Sequence, residues 1–388
     1  APLVLYYFHL VSPAGILLGI ALGIPVAIVL VSGMGTILLS GLGWLGLLAV
    51  IPLQAGLGMI KWTIALARDL PGAYFWSPAP PSWQLAVFYV LLFSSWCCRG
   101  RRSRICLRLG LACWVLVATV STTRIVHRPA EDLLRATFIA VGHGTSVLLE
   151  LPGGGVWLYD AGHLGHPRSA GHQVAGVLWS RGIRQIDRLF LSHADVDHFN
   201  AVPSLLERFQ VKQVSVPVTL EWDASAAILA LSRNLENHGV PVQAFQRGDV
   251  LLAGERLSAR VLHPPGETVF GSDNAGSLVL EMNWGKSRLV LPGDLEADGL
   301  VMLLDTPPRL TSVLMAPHHG SIRSDPQGVC RWCHPRLVVI SSGDWQASGE
   351  FEYRKWRGQV SSTCRHGAIT IDFLPGGFCF RHERDNPR

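Results

Sequence analysis

The sequence predicts an α+β protein: a layered αββα sandwich preceded by a helical transmembrane region. Three observations predict it. The 388 residues are 49% hydrophobic and only 16% charged, but that average hides a sharp split. Residues 1–123 are almost wholly apolar, punctuated by Gly, Trp and Pro, whereas 124–388 have the Asp, Glu, Arg and His content of a water-soluble domain. From residue 136 onward, short β-type runs and helical stretches come in mixed order, as layered sandwiches require. Several of those strands end directly on His or Asp. The expected division is a transmembrane helical region over 1–125 and one folded domain over 135–388.

In chain order, residues 12–31 are apolar and long enough to span a bilayer, with Pro25 expected to kink the helix. A second apolar run, 33–60, is broken by Gly and Pro52 and suits one tilted helix or two re-entrant pieces. Residues 61–69 read as amphipathic and interfacial. Residues 83–98 form a third span, with Trp83, Tyr89 and Trp96 where an aromatic belt would sit, and 106–123 a fourth. The chain opens on Ala1 inside hydrophobic sequence, as a piece of a longer protein would, and it lacks the charged start and cleavage site of a signal peptide.

In the second region, strands are expected at 137–140 and 146–151, around Gly142-His143-Gly144, and at 156–159, ending on Asp160. A helix follows at 173–181 and a strand at 187–191. Then come a helix at 201–209 and strands at 213–216, 257–262, 277–281, 287–291, 312–315 and 337–340. No repeat or low-complexity tract interrupts them.

Formal net charge is +5, and much of it sits in Arg99, Arg101, Arg102, Arg104 and Arg108. That patch fits a membrane-flanking basic loop better than a nucleic-acid groove. If the loop is cytoplasmic, the fourth span carries the chain outward. The second region then lies on the periplasmic or extracellular side of the inner (cytoplasmic) membrane, against the pull of Arg124, Arg128 and Arg135. The eight cysteines are scattered. Cys330-Arg331-Trp332-Cys333-His334 matches a haem-attachment signature, but it runs straight into Pro335 and an apolar strand. A disulfide or core thiols is therefore the expectation.

The chemistry concentrates in Leu191-Ser192-His193-Ala194-Asp195-Val196-Asp197-His198. An apolar strand ends and delivers four ligand-type side chains within six residues, an uncommon arrangement for an ordinary Asp-rich turn. Imidazole and carboxylate together suit Zn²⁺, Mn²⁺ or Fe²⁺. Two later strands end similarly. One stops at Pro292-Gly293-Asp294, whose carboxylate is suited to bridge two ions or, more plainly, to cap a helix. The other stops at Pro317-His318-His319-Gly320-Ser321.

With these motifs in hand, the sequence resembles the metallo-β-lactamase-like domain of ComEC-type competence DNA-uptake channels. Phe138–Gly144, Leu158–Gly162 and Val339–Gly343 are similar to further signatures of that family, and Leu70-Pro71-Gly72-Ala73 to the tail of its membrane domain. The resemblance implies a metallo-β-lactamase αββα sandwich over 135–388 that works as a metal-dependent hydrolase. It implies His193, Asp195, Asp197, His198, Asp294 and the His318/His319 pair as ligands of two divalent ions (Zn or Mn), with Asp160 supporting them from beneath. Asp195 stands where the wider fold has His, which hardens the site toward Mn²⁺. The ligand His that the wider fold places before the strand at 277–280 is missing, and Asp273 or Asn274 is the nearest candidate. His143 replaces the family's Gln and reads as a turn residue.

The same resemblance implies metal-assisted phosphodiester hydrolysis, with Asp197 orienting the attacking water and His318 or His319 stabilising the leaving charge. It implies a multi-pass protein of the cytoplasmic membrane, with single- or double-stranded DNA and other DNA-translocation components as partners. Two rivals remain: a catalytically weak structural or DNA-binding module of the channel, or a membrane-bound hydrolase of another substrate.

Overall fold

The computed structural model describes residues 2–68, 70, 72–98, 100–124, 132–266, 268–343 and 348–384. The chain divides into two compact units, 1–125 and 126–388.

The first unit is helical: α1 (Pro2–Phe8), α2 (Pro13–Ala21), α3 (Gly23–Leu39), α4 (Trp44–Arg68), α5 (Ser82–Cys97) and α6 (Arg101–Arg124). The apolar run expected as one span over 12–31 is two helices. Ser12 caps α2 by accepting the Gly15 N–H at 3.0 Å, and Pro13 takes the first helical position, where a missing donor costs nothing. The chain restarts at Gly23, so Pro25 lies in the first turn of α3 instead of kinking a helix interior. Helix α4 continues through Pro52 and absorbs the segment expected to lie in the interface.

Among the described residues, three stretches are long and apolar enough to cross a membrane: 23–42, 46–67 and 101–120. Helix α5 has 16 residues, about 24 Å at 1.5 Å per residue, and so falls short of a hydrocarbon core of about 30 Å. Trp114 of α6 ties α5 in, donating its indole N–H to the Gln84 carbonyl at 2.6 Å. Arg101, Arg102, Arg104 and Arg108 lie on the first turns of α6 and not in a loop. Arg99 and Arg128 are outside the described residues. Exposed apolar side chains such as Ile37 and Leu38 suit a hydrocarbon surrounding.

The second unit is a two-sheet sandwich. Its strands are β1 (Leu134–Phe138), β2 (Val147–Glu150), β3 (Val156–Tyr159), β4 (Arg188–Phe190), β5 (Val214–Pro217), β6 (Val242–Phe245), β7 (Val250–Ala253), β8 (Leu257–His263), β9 (Val279–Trp284), β10 (Ser287–Leu291), β11 (Val313–Met315), β12 (Leu337–Ile340), β13 (Gln359–Ser362), β14 (Ile369–Leu374) and β15 (Gly377–His382). One sheet runs in the order β6-β5-β4-β3-β2-β1-β14-β15, the other β7-β8-β9-β10-β11-β12-β13. Both are mixed: β3, β4, β5 and β6 are mutually parallel, as are β10 through β13, and the remaining neighbours are antiparallel.

The core between the sheets is built from alternate residues of both, including Ala136, Phe138, Leu149 and Phe190 on one side and Leu280, Met282, Leu289, Leu291 and Val339 on the other. Burial of each large aliphatic or aromatic side chain there contributes about 1.5–3 kcal/mol. The opposite face of the second sheet packs Val279, Val290, Leu314 and Val338 against helices α11 (Ala297–Leu304) and α12 (Pro326–Cys333). Helix α7 (Pro167–Ser180) runs over the outer face of the first sheet beside β1, β14 and β15, which completes the αββα order.

Arg135, weighed in the sequence as a membrane-flanking charge, is part of this sandwich. Its guanidinium grips Asp372 of β14 at 2.5 and 3.0 Å. Cys330 and Cys333 sit in the α12 core as free thiols, and burial pushes the Cys330 thiol up to about 12. They are core thiols, with no open face for a haem.

Candidate metal centre

The candidate ligands converge because they leave neighbouring strands at the same edge. His193 follows β4; Asp294 follows β10; His318 and His319 follow β11; Ser341 follows β12. Each of these strands has a parallel neighbour, and the carboxyl ends of parallel strands are where sheets of this kind place their sites. Asp195, Asp197 and His198 come with the short helix α8 (Val196–Phe199).

Two groups of ligand atoms form. His193, His198 and Asp294, all buried, each bring one ligand atom to within 4.8 Å of the others, and His143, Asp197 and His319 form a second group by the same measure. Asp294 faces both. Its Oδ1 lies 3.1 Å from His198 Nε2, and its Oδ2 lies 3.3 Å from His319 Nε2. His319 Nε2 is also 3.2 Å from Asp197 Oδ2.

Each imidazole is oriented from behind. Asp160, at the end of β3 with a left-handed φ of +57°, accepts the Ser192 N–H and hydroxyl, both at 2.7 Å, and pairs with His198 Nδ1 at 2.8 Å. The Ser192 hydroxyl also lies 2.8 Å from His193 Nδ1. His319 Nδ1 donates to the Ser341 carbonyl at 2.9 Å. With the Nδ1 atoms so engaged, the Nε2 atoms point into the centre, as metal-binding histidines do. His193 Nε2, His198 Nε2 and Asp294 Oδ1 are buried, and their contacts are to other candidate ligands: His198 Nε2 to Asp294 Oδ1, and His193 Nε2 to Asp195. Three buried donor atoms that converge on one another fit a cation between them.

The electrostatics agree. Burial pushes the Asp197 carboxyl up, but the His319 hydrogen bond and the His198 and His319 charges outweigh it and hold it at about 2. Asp294 is likewise ionised well below the usual range: burial opposes ionisation, and His198 and His319 overcome it. Burial alone would lower His198, yet Asp294 and Asp160 raise it. Two ionised carboxylates this deep need positive charge, which protonated imidazoles or divalent ions supply.

Of the other sequence candidates, Asp195 lies at the rim, its carboxylate half exposed and 3.4 Å from His193 Nε2. His318 is half-buried, with Nδ1 on Glu296 at 2.9 Å and Nε2 3.9 Å from Asp294. Asp273 joins neither group. It is exposed at the start of a helical turn, in the wall of a separate cleft with Thr219 and Phe270. Its neighbour Asn274 instead donates to Glu296 at 3.1 Å and so acts through His318. His143, read from sequence as a turn residue, belongs to the second group; its signal was the imidazole itself, flanked by two glycines.

Residues 139–325 match the family model described as Metallo-beta-lactamase superfamily, and residues 1–102 match that described as Competence protein. ComE operon protein 3 of Bacillus subtilis is 34% identical over 181 residues, 46% of this chain and 23% of that protein. Recombination protein 2 of Haemophilus influenzae is 24% identical over 337 residues, 84% of this chain and 39% of that protein. The chain thus spans well under half the length of either relative. Similar solved structures include a metal-dependent hydrolase of the beta-lactamase superfamily (12% identity, 59% of this chain and 95% of that one, TM-score 0.39) and Zn²⁺-bound PqqB from Methylobacterium extorquens (14%, 60% and 88%, TM-score 0.38). Two family models therefore match the chain in succession: that of Competence protein over residues 1–102 and that of the metallo-beta-lactamase superfamily over residues 139–325.

Proposed function

We propose that the sandwich domain is a two-metal phosphodiesterase acting on DNA at a membrane. The observation that carries this reading is Asp294, whose two carboxylate oxygens face two separate groups of ligand atoms. His193, His198 and Asp294, with Asp195 at the rim, would hold one divalent ion, Zn or Mn; Asp197, His319 and Asp294 would hold the other. Bound there, such ions lower the pKa of water and neutralise charge on a phosphoryl group. Asp160 and Ser192 fix the imidazole orientations. His318, steadied by Glu296, faces the centre from the open side and is placed to donate a hydrogen bond to the leaving oxygen.

DNA as substrate rests on the Competence segment and on the named relatives, not on the ligand set, which would serve a lactam or thioester equally. The apolar helices support a multi-pass place in the cytoplasmic membrane. The arginines at the start of α6 support a cytoplasmic start to that helix, with the sandwich domain outside. Partners would be the membrane, single- or double-stranded DNA and other translocation components. The exposed position of Asp273 favours a second reading, a catalytically weak DNA-binding module of the channel.

The test is metal content and cleavage of DNA and of bis-p-nitrophenyl phosphate by the detergent-solubilised chain, with Asp197→Ala as the comparison. We expect about two ions per chain and metal-dependent cleavage that the variant loses. Absence of bound metal would leave the structural module as the better description.

A further inference from the structure

We infer that His143 is a protein ligand of the ion held by Asp197 and His319, an inference that rests on the two-ion reading above. A ring nitrogen of His143, a carboxylate oxygen of Asp197 and a ring nitrogen of His319 all lie within 4.8 Å of one another. The two imidazole rings stand 4.7 Å apart between centroids, tilted by 43°. That is too close and too convergent for an incidental turn side chain, and the backbone shows why the ring is held there.

The loop between β1 and β2 is clamped on both sides. The His143 carbonyl accepts the Leu164 N–H at 2.6 Å, the Thr145 N–H donates to the Asp197 carbonyl at 3.3 Å, and the Gly144 carbonyl accepts the Ser341 hydroxyl at 2.9 Å. One short loop is therefore tied to the segment that carries Asp197 and to Ser341, the residue that anchors His319. Gly144 adopts φ +155°, and a Cβ there would stand 2.4 Å from the Gly162 carbonyl oxygen; a Cβ at Gly343 would stand 2.5 Å from the His143 nitrogen. Only glycine lets these backbones close on His143, so the backbone that carries the imidazole is fixed against the centre.

The consequence is a matched donor count at the two ion positions. The second gains a nitrogen donor, giving two imidazoles, the Asp197 carboxylate and one oxygen of Asp294. With that nitrogen donor the second position would suit Zn²⁺ or Co²⁺ better than Asp197, His319 and Asp294 alone would. The first position, with His193, His198, Asp294 and the rim carboxylate of Asp195, offers the same two nitrogen and two oxygen donors.

The experiment is stepwise Zn²⁺ affinity, by chelator competition, for the solubilised chain and for His143→Gln and His143→Ala, with circular dichroism to follow folding. Both variants are expected to retain the first ion and to bind the second at least about ten-fold more weakly. Wild-type affinity for both ions in either variant would overturn the inference while leaving the two-ion reading intact. A wild-type chain that binds fewer than two ions removes both. If the variants do not fold, the Co²⁺-loaded wild type decides: four sets of hyperfine-shifted imidazole resonances support His143 as a ligand, and three, from His193, His198 and His319 alone, overturn it.

Discussion

Asp160 touches no candidate ion position, yet the centre depends on it, because it fixes which nitrogen of His198 faces Asp294. Asp160→Asn is expected to keep the fold and to weaken metal binding by roughly ten- to a hundred-fold, the usual cost of losing such an orienting partner; chelator competition measures it. His263 offers a contrasting residue-scale prediction. It is fully buried with Nδ1 on the Ser277 carbonyl, and burial lowers its pKa from 6.5 to about 4. The fold therefore keeps this ring neutral while the unfolded chain protonates it first. Its contribution to stability is present above about pH 6.5 and lost as pH falls toward about 4, amounting to on the order of 3 kcal/mol. Urea unfolding of the isolated sandwich domain, with metal chelated, should show a steeper loss between pH 7 and 4.5 for wild type than for His263→Asn; parallel slopes would refute it. Most of the proposed ligand set was legible at this scale, since His193, Asp197, His198, Asp294 and His319 stand in motifs at strand ends. The proposed role of His143 was not, because nothing in local sequence tells a turn imidazole from one brought across by a long-range clamp. Asp273 failed for the reverse reason: spacing suggested it, and the turn before β9 leaves it on the surface.

At the scale of elements, short apolar strands bounded by Gly, Pro or Asp were readable, and β3, β10 and β12 fall where the pattern places them. Helices α10 (Ala226–Asn237), α11 and α12, together with β6, β7 and β13 to β15, passed unread. The run 242–245 is a sheet edge with three of its four residues exposed, so its alternation carries little apolar signal. Among the apolar helices the start signals were misjudged: Ser12-Pro13 and Gly23 each open a helix, so one expected span became two helices. A prediction belongs here too. Glu281 of β9 is fully buried and receives Arg260, Arg288 and Arg309 from three flanking segments. Glu281→Ala leaves those cations facing one another across the sheet. It should cost about 3–5 kcal/mol, the usual penalty for breaking a buried pair, read as a drop in the urea midpoint without change in slope.

At the scale of the molecule, the division between apolar and polar halves was the strongest signal in the sequence, because a bilayer and water ask for opposite compositions. What composition could not reveal is how many segments cross. Span length depends on where helices start, and α5 came out short while α4 ran long. The chain should resist alkaline extraction from membranes and require detergent, as three stretches of spanning length imply; release by high pH alone would contradict that.

The distribution of thiols extends this to a practical end. Cys330 and Cys333 are sealed in the α12 core, whereas Cys379 on β15 is exposed. The sandwich therefore carries its own reporter of sidedness. A membrane-impermeant maleimide added to intact cells would tag Cys379 if that domain faces outward and spare it if it faces the cytoplasm, with Cys379→Ser as the blank. The two hidden sulfurs would stay silent until the fold is opened, so the same reagent distinguishes a native surface from a denatured one.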